Sequence, residues 1–169
     1  SLKNSFELHN LLLVMRGGFE SDFWIAPLLK YFDKFEYQGL TEFAKALDNA
    51  FAFDWIIGFT PTQRIENVNS WIEKIESKDN YINVISDLKN HIDLSDLGIE
   101  LDKKIYGRRA AKYLMLKLDC ILQGHTRKIS FPETISIEHI LPQTLSQGSQ
   151  WLNDFSDEEF RKFAKDRLG

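Results

Sequence analysis

Apolar residues recur along this 169-residue chain mostly at intervals of three and four, the period of α-helices. Phe6 to Met15 is apolar on several sides, which predicts a helix buried in a bundle and ended by Gly17 and Gly18. From Asp22 to Phe35 a second helix carries Trp24, Ile25, Leu28, Leu29 and Phe32 as its apolar face. Pro27 near its start implies a late start or a kink. Thr41 to Ile57 places Phe43, Leu47, Phe51 and Trp55 on every fourth position. Thr60-Pro61-Thr62-Gln63 then combines an N-cap Thr, a Pro at the first helical position and a Gln able to close a capping box. The helix it opens holds Ile65, Val68, Trp71, Ile72 and Ile75 on one face, and Tyr81 to Ile92 is a shorter candidate. Ser95 to Gly98 reads as turn-rich.

A basic helix is expected from Lys103 to Gln123, capped by Gly124. Its apolar face would be Tyr106, Ala110, Tyr113, Leu114, Leu118 and Ile121, with Lys104, Arg108 and Lys112 as a stripe roughly opposite. Lys117 falls inside the apolar stripe and must snorkel or find a partner. Beyond Gly124 the texture changes. Arg127 to Phe131 and Ile135 to Leu141 are β-rich around Pro132-Glu133-Thr134 and predict a short hairpin. Ser156-Asp157-Glu158-Glu159 resembles a second capping box and opens a last helix through Phe160 and Phe163. The fold class is therefore mainly α: a bundle of about six helices over residues 1–125, then a smaller unit with a hairpin and a helix over 126–169.

Composition narrows the reading. Thirteen Phe and four Trp supply enough apolar surface to exclude disorder, and only nine Gly and four Pro argue against collagen and turn-dense all-β folds. The single cysteine, Cys120, cannot form an internal disulfide and makes no metal cluster by itself, and it suits a reducing cytoplasm. The longest aliphatic run, Leu11 to Met15, is far short of the ~18 residues of a membrane span, and its flanks do not resemble a signal peptide, so no membrane partner is expected. A net charge of −4 argues against coating nucleic acid through bulk electrostatics. The average conceals a basic segment, since Lys103 to Lys128 holds eight Lys and Arg against the single acid Asp119.

Chemistry concentrates in Ile135-Ser136-Ile137-Glu138-His139-Ile140-Leu141-Pro142-Gln143. Strand alternation separates Glu138 from His139, so both reach one cavity only through backbone irregularity. There a neutral imidazole, with an unperturbed pKa of about 6.5, is suited to take a proton from water. A neighbouring carboxylate is a hard oxygen ligand for Mg²⁺. Together they suit metal-assisted phosphodiester hydrolysis.

Ile137-Glu138-His139-Ile140-Leu141-Pro142-Gln143 resembles the first half of the HNH, or His-Me-finger, nuclease motif. With the helical region, the Arg108-Arg109 pair, Trp151 and the terminal Leu168-Gly169, it resembles the C-terminal region of the GmrSD-like bacterial restriction endonucleases. The resemblance implies a ββα unit, His139 as general base, Glu138 as a metal ligand, Pro142 as the residue shaping the turn after the strand, and Mg²⁺ or a similar divalent cation. It also implies DNA, modified in some cases, as the partner, together with a nucleotide-dependent N-terminal region of the same protein or a partner subunit. This stretch carries no Gly-rich phosphate loop and no Asp-Gly-Gln-Gln-Arg-like string of that region. The Asn-Leu-Thr-Leu-like continuation of the family is not found before Gly169, so the ββα unit is expected to be truncated and inactive in this stretch alone.

Plainer readings stand beside these. His125 follows the helix-ending Gly124, where a cation favours the C-terminal dipole, and His9 and His91 read as core or surface fillers. Cys120 is expected to be buried and inert, and Trp151, in a loop, to anchor the last helix to the hairpin. The stripe Lys104, Arg108 and Lys112 is either a solvated face or a phosphate contact, the latter reading being favoured by Arg127 and Lys128 at the hairpin's entrance. The alternative function is a non-catalytic helical interaction or DNA-docking module in which the Glu-His pair is only structural.

Overall fold

The computed structural model describes residues 6–132, 134–137, 142 and 144–167. It is mainly helical. In chain order the helices are α1 (Glu7–Gly18), α2 (Ile25–Phe35), α3 (Leu40–Ile57), α4 (Pro61–Ser77), α5 (Tyr81–Lys89), α6 (Leu94–Leu101), α7 (Ala111–Gln123), α8 (Gln150–Asp154) and α9 (Glu158–Arg167), with a 3₁₀ turn at Gly124–Thr126. The central element is α3. Helices α1, α2, α5 and α6 pack against it, α4 bridges α2 and α5, and α7 lies along α1. Phe43, Leu47, Phe51 and Trp55 are all buried, so the four-residue repeat of the sequence is the spine of the core.

The strongest start signal forms as expected. The Thr60 hydroxyl accepts from the Gln63 amide at 3.3 Å, and the Gln63 side chain accepts from the Thr60 amide at 2.9 Å. In α2 the late start is found, with Pro27 in the first turn. Its expected face is rotated: Pro27, Tyr31 and Phe35 are buried, whereas Leu29 is 62% exposed. Tyr31 determines this by stacking on Phe43 at 3.8 Å, a contact that draws its side of α2 toward α3. Gly17 and Gly18 are the last two residues of α1, as expected, and Phe19 caps it in an extended conformation. A Cβ on Gly18 would lie 2.8 Å from the Tyr113 Cα, so this glycine lets α7 approach α1 closely.

Two further expectations are corrected. The stretch at Ser95–Gly98 is helical, because Asp93 caps it by accepting from the Ser95 and Asp96 amides at 2.8 and 3.2 Å. The single helix from Lys103 does not form either. Gly107 at φ +80° interrupts the chain, and a turn closed by Arg108 N–H to Ile105 O at 3.0 Å delays α7 until Ala111. Within α7 the buried face is Ala111, Tyr113, Leu116 and Cys120, not the Leu118–Ile121 side. Lys117 finds a partner, the fully buried Asp48 of α3, whose other oxygen accepts from the Tyr113 hydroxyl at 2.9 Å. Burial raises the Asp48 carboxyl above its ordinary value against the opposing pull of Lys117 and Tyr113.

No strand is found among the described residues, so the hairpin of Arg127–Phe131 and Ile135–Leu141 is not formed within them. The physical reason is visible at the first arm. Its backbone pairs with a side chain of α1: Asn10 Nδ2 donates to the Arg127 carbonyl at 2.9 Å and Asn10 Oδ1 accepts from the Ile129 amide at 3.0 Å. Further along, Trp151 lies in α8 rather than a loop, and it stacks on Phe155, which stacks on Phe160 of α9. The cap of α9 is Asp157 rather than Ser156, its carboxylate accepting from the Glu159 and Phe160 amides at 2.8 and 3.1 Å.

Candidate functional site

The turn before α7 and the chain after Phe131 enclose an open cleft of about 390 Å³. Its lining includes Glu20, Arg108, Arg109, Lys112, Ile135 and Ile137. A second hollow of about 320 Å³ shares Lys112, Ile135 and Ile137 and extends along α7 to Met115 and Asp119. Glu138 and His139, which follow Ile137 directly in sequence, lie outside the described residues. Among the described residues, no group of three or more His, Cys, Asp or Glu side chains is arranged to hold a metal ion.

The five basic residues singled out by sequence divide. Arg108 and Lys112 line the cleft, Lys104 lies on the exposed turn ahead of it, and Arg127 and Lys128 follow the 3₁₀ turn on the α1 side, outside the cleft lining. Because α7 begins at Ala111, Lys104, Arg108 and Lys112 do not form a helical stripe. Arg108 is chiefly a tie within the fold. It donates to the Glu100 carbonyl and carboxylate, both at 3.0 Å, and to the Ile56 carbonyl at the end of α3. Glu100 also pairs with Lys103, and these two cations hold its carboxyl below the usual range. Much of the basic segment is thus neutralised internally, since Lys117 faces Asp48 and Arg109 Nε lies 3.6 Å from Glu20.

At the cleft, the cationic side chains are Arg109, 67% exposed and loosely paired, Lys112 in the first turn of α7, and Arg108 beneath them. No side chain caps Ala110, so the positive end of the α7 dipole adds to theirs. Sequence reasoning counted Arg109 as part of the basic segment without selecting it, and it missed Glu20, which approaches only through the fold. It also missed Asn10. A polar residue within the apolar run His9-Asn10-Leu11-Leu12-Leu13 was the available signal, because a buried amide must be paired.

The remaining candidates hold structural positions. The His91 Nε2 lies 2.6 Å from the buried Asp54 carboxylate, which also accepts from Asn67 at 2.9 Å. His125 lies 3.8 Å from Glu7, His9 is exposed, and Cys120 is buried, which pushes its thiol up.

Residues 93–169 match the family model described as GmrSD restriction endonucleases, C-terminal domain. Over this stretch, less than half of the chain, the sequence is similar to that C-terminal domain. No curated protein matches the chain, and no solved structure does. Among the described residues no helix is long and apolar enough to cross a membrane.

Proposed function

We propose that the chain contributes the C-terminal part of an HNH-type, divalent-metal-dependent DNA endonuclease of a bacterial restriction system. The observation that carries this reading is the match over residues 93–169, a span that includes both the Glu138-His139-Ile140-Leu141-Pro142-Gln143 string and the turn that lines the cleft. In this reading His139 takes a proton from water as it attacks phosphorus, and the P–O bond to the departing sugar oxygen breaks. Glu138 offers the carboxylate suited to a hard cation, and by itself it is an incomplete ligand set. When bound, such a cation supplies Lewis acidity at the phosphate and steadies the leaving oxygen. Arg109, Lys112 and the α7 N-terminus hold a flanking phosphate, as helix N-termini and cations do for anions. DNA, in some cases modified, is the substrate, and a nucleotide-dependent region of the same protein or of a partner subunit licenses cleavage.

The test is nicking of plasmid DNA by the product of the complete reading frame, with Mg²⁺ or Mn²⁺. His139→Ala is expected to abolish nicking while circular dichroism and melting stay unchanged. An undiminished rate in that folded variant sinks the nuclease reading.

A second reading, a helical interaction module, is favoured by one observation: Leu118, Ile121 and Leu122 of α7 are 51%, 58% and 77% exposed, an apolar face without a covering element among the described residues. Under it, His139→Ala changes nothing, whereas Leu122→Lys abolishes partner capture.

A further inference from the structure

An extended chain segment must find partners for its backbone amides and carbonyls. From Arg127 to Ile129 a single side chain supplies two of them. The Asn10 carboxamide donates to the Arg127 carbonyl and accepts from the Ile129 amide, and Asn10 and Ile129 are 0% and 7% exposed. A carboxamide carries the same donor and acceptor as a peptide group, so Asn10 replaces one rung of a β-ladder. Seven residues later, on the same face of α1, Gly17 leaves room for Phe131: a Cβ there would lie 3.3 Å from the Phe131 ring. Phe131 and Ile135 then pack against the core, and Ile135 and Ile137 line the cleft with Arg109 and Lys112. Among the described residues these contacts lead from Asn10 through Phe131 to Ile135 and Ile137 at the cleft, and Glu138 and His139 follow Ile137 in sequence.

We infer that Asn10 is a positioning residue for the segment that carries His139, acting from a helix outside the region matched by the family model. Asn10 fixes the register of the segment on α1, and Gly17 fixes its distance. The inference rests on the nuclease reading above, and on contacts 117 and 119 residues apart in sequence that couple the first helix to the last third of the chain.

Two variants test it: Asn10→Ala, which removes the amide, and Asn10→Leu, which fills the same space without hydrogen bonds. Amide exchange is read at Ile129 and, as an internal standard, at Phe51 in α3. With the clamp gone, Ile129 should exchange faster by about tenfold or more at unchanged Phe51 protection, as expected for a lost buried hydrogen bond. The kcat for DNA nicking should fall by up to about 10²-fold at constant KM, the cost of misplacing a catalytic group by roughly 1 Å. Unchanged exchange at Ile129 overturns the inference. So does a loss of protection shared evenly by Phe51, or local opening without any change in kcat. Failure of the nuclease reading is recognised separately, by wild-type nicking in His139→Ala. The Ile129 exchange needs no DNA and decides in either case whether Asn10 holds the segment.

Discussion

The core around α3, which α7 joins through Tyr113, and the short helices α8 and α9 hold their structure by different means. In α3, twelve of eighteen residues are buried, and its aromatic side chains interlock with Phe19, just after α1, and with Tyr31 of α2. Around the cleft and in the short helices beyond it, specific polar contacts recur: Asn10 on the 127–129 backbone and Arg108 on Glu100 and Ile56, then Arg161 on the Phe155 carbonyl and Asp157 on the start of α9. Helices α8 and α9 are short, and α8 buries none of its residues. Apolar packing gives the bundle one cooperative core, whereas structure held by individual hydrogen bonds opens locally at lower cost. The contrast predicts where a substitution unfolds the molecule and where it disturbs only its surroundings.

The largest difference should come from two aromatic deletions. Phe51 is fully buried and meets Phe19 edge-on at 4.8 Å, so Phe51→Ala should cost about 3–5 kcal/mol and lower the whole urea transition. Trp151, half-exposed and stacked on Phe155 at 5.6 Å, should cost about 1 kcal/mol or less as Trp151→Ala, with exchange rising in α8 and α9 alone. Equal losses of global stability in the two variants would erase the distinction between the regions.

Lys117→Ala tests the joint between α3 and α7. It removes the cation facing Asp48 while leaving Tyr113 on the other oxygen, and stranding a buried carboxylate should cost about 3 kcal/mol near neutral pH. Burial already raises the Asp48 carboxyl, and without Lys117 it rises further. A raised acid pKa means the folded state binds more protons than the unfolded one, so the deficit of Lys117→Ala should shrink as pH falls through that raised value. A deficit independent of pH in denaturant titrations would show that the pair contributes packing rather than charge.

The same contrast explains what was legible in the sequence. Periodicity and caps are local, so α3, the Thr60 capping box and the late start of α2 could be read from neighbours within a few residues. The errors fall where a distant group decides. Tyr31 turns α2 because Phe43 waits for its ring. Arg108 leaves the expected helix because the carbonyl of Ile56 and the carboxylate of Glu100 compete for it. In the same way Asn10 takes the backbone that a second strand was expected to pair. At the candidate site, the Glu138-His139 string and the basic segment were visible as residues. That Arg108 serves the fold, while Arg109 and Lys112 carry exposed charge at the cleft, depends on a turn at Gly107 that the helical pattern of the segment obscured.

The smallest expected effect concerns the quality of packing in the bundle. Tyr31 is fully buried, and its hydroxyl donates to the Gln38 carbonyl at 2.6 Å. Burial, reinforced by the nearby Tyr81 and Glu42, pushes its phenol up from 10.0 to about 12. A phenol is neutral when protonated, so this contribution to stability is complete below pH 10 and is lost as pH rises from the unfolded value through the folded one. Tyr31→Phe should cost about 1 kcal/mol at neutral pH, the net worth of one hydrogen bond. Above pH 10 it should narrow that gap, since the variant has no buried proton to lose. The check is a pair of urea titrations, at pH 7 and pH 10.5, on each protein. A gap that stays unchanged at the higher pH would mean that Tyr31 is solvated, and that the core around α3 is looser than its aromatic contacts indicate.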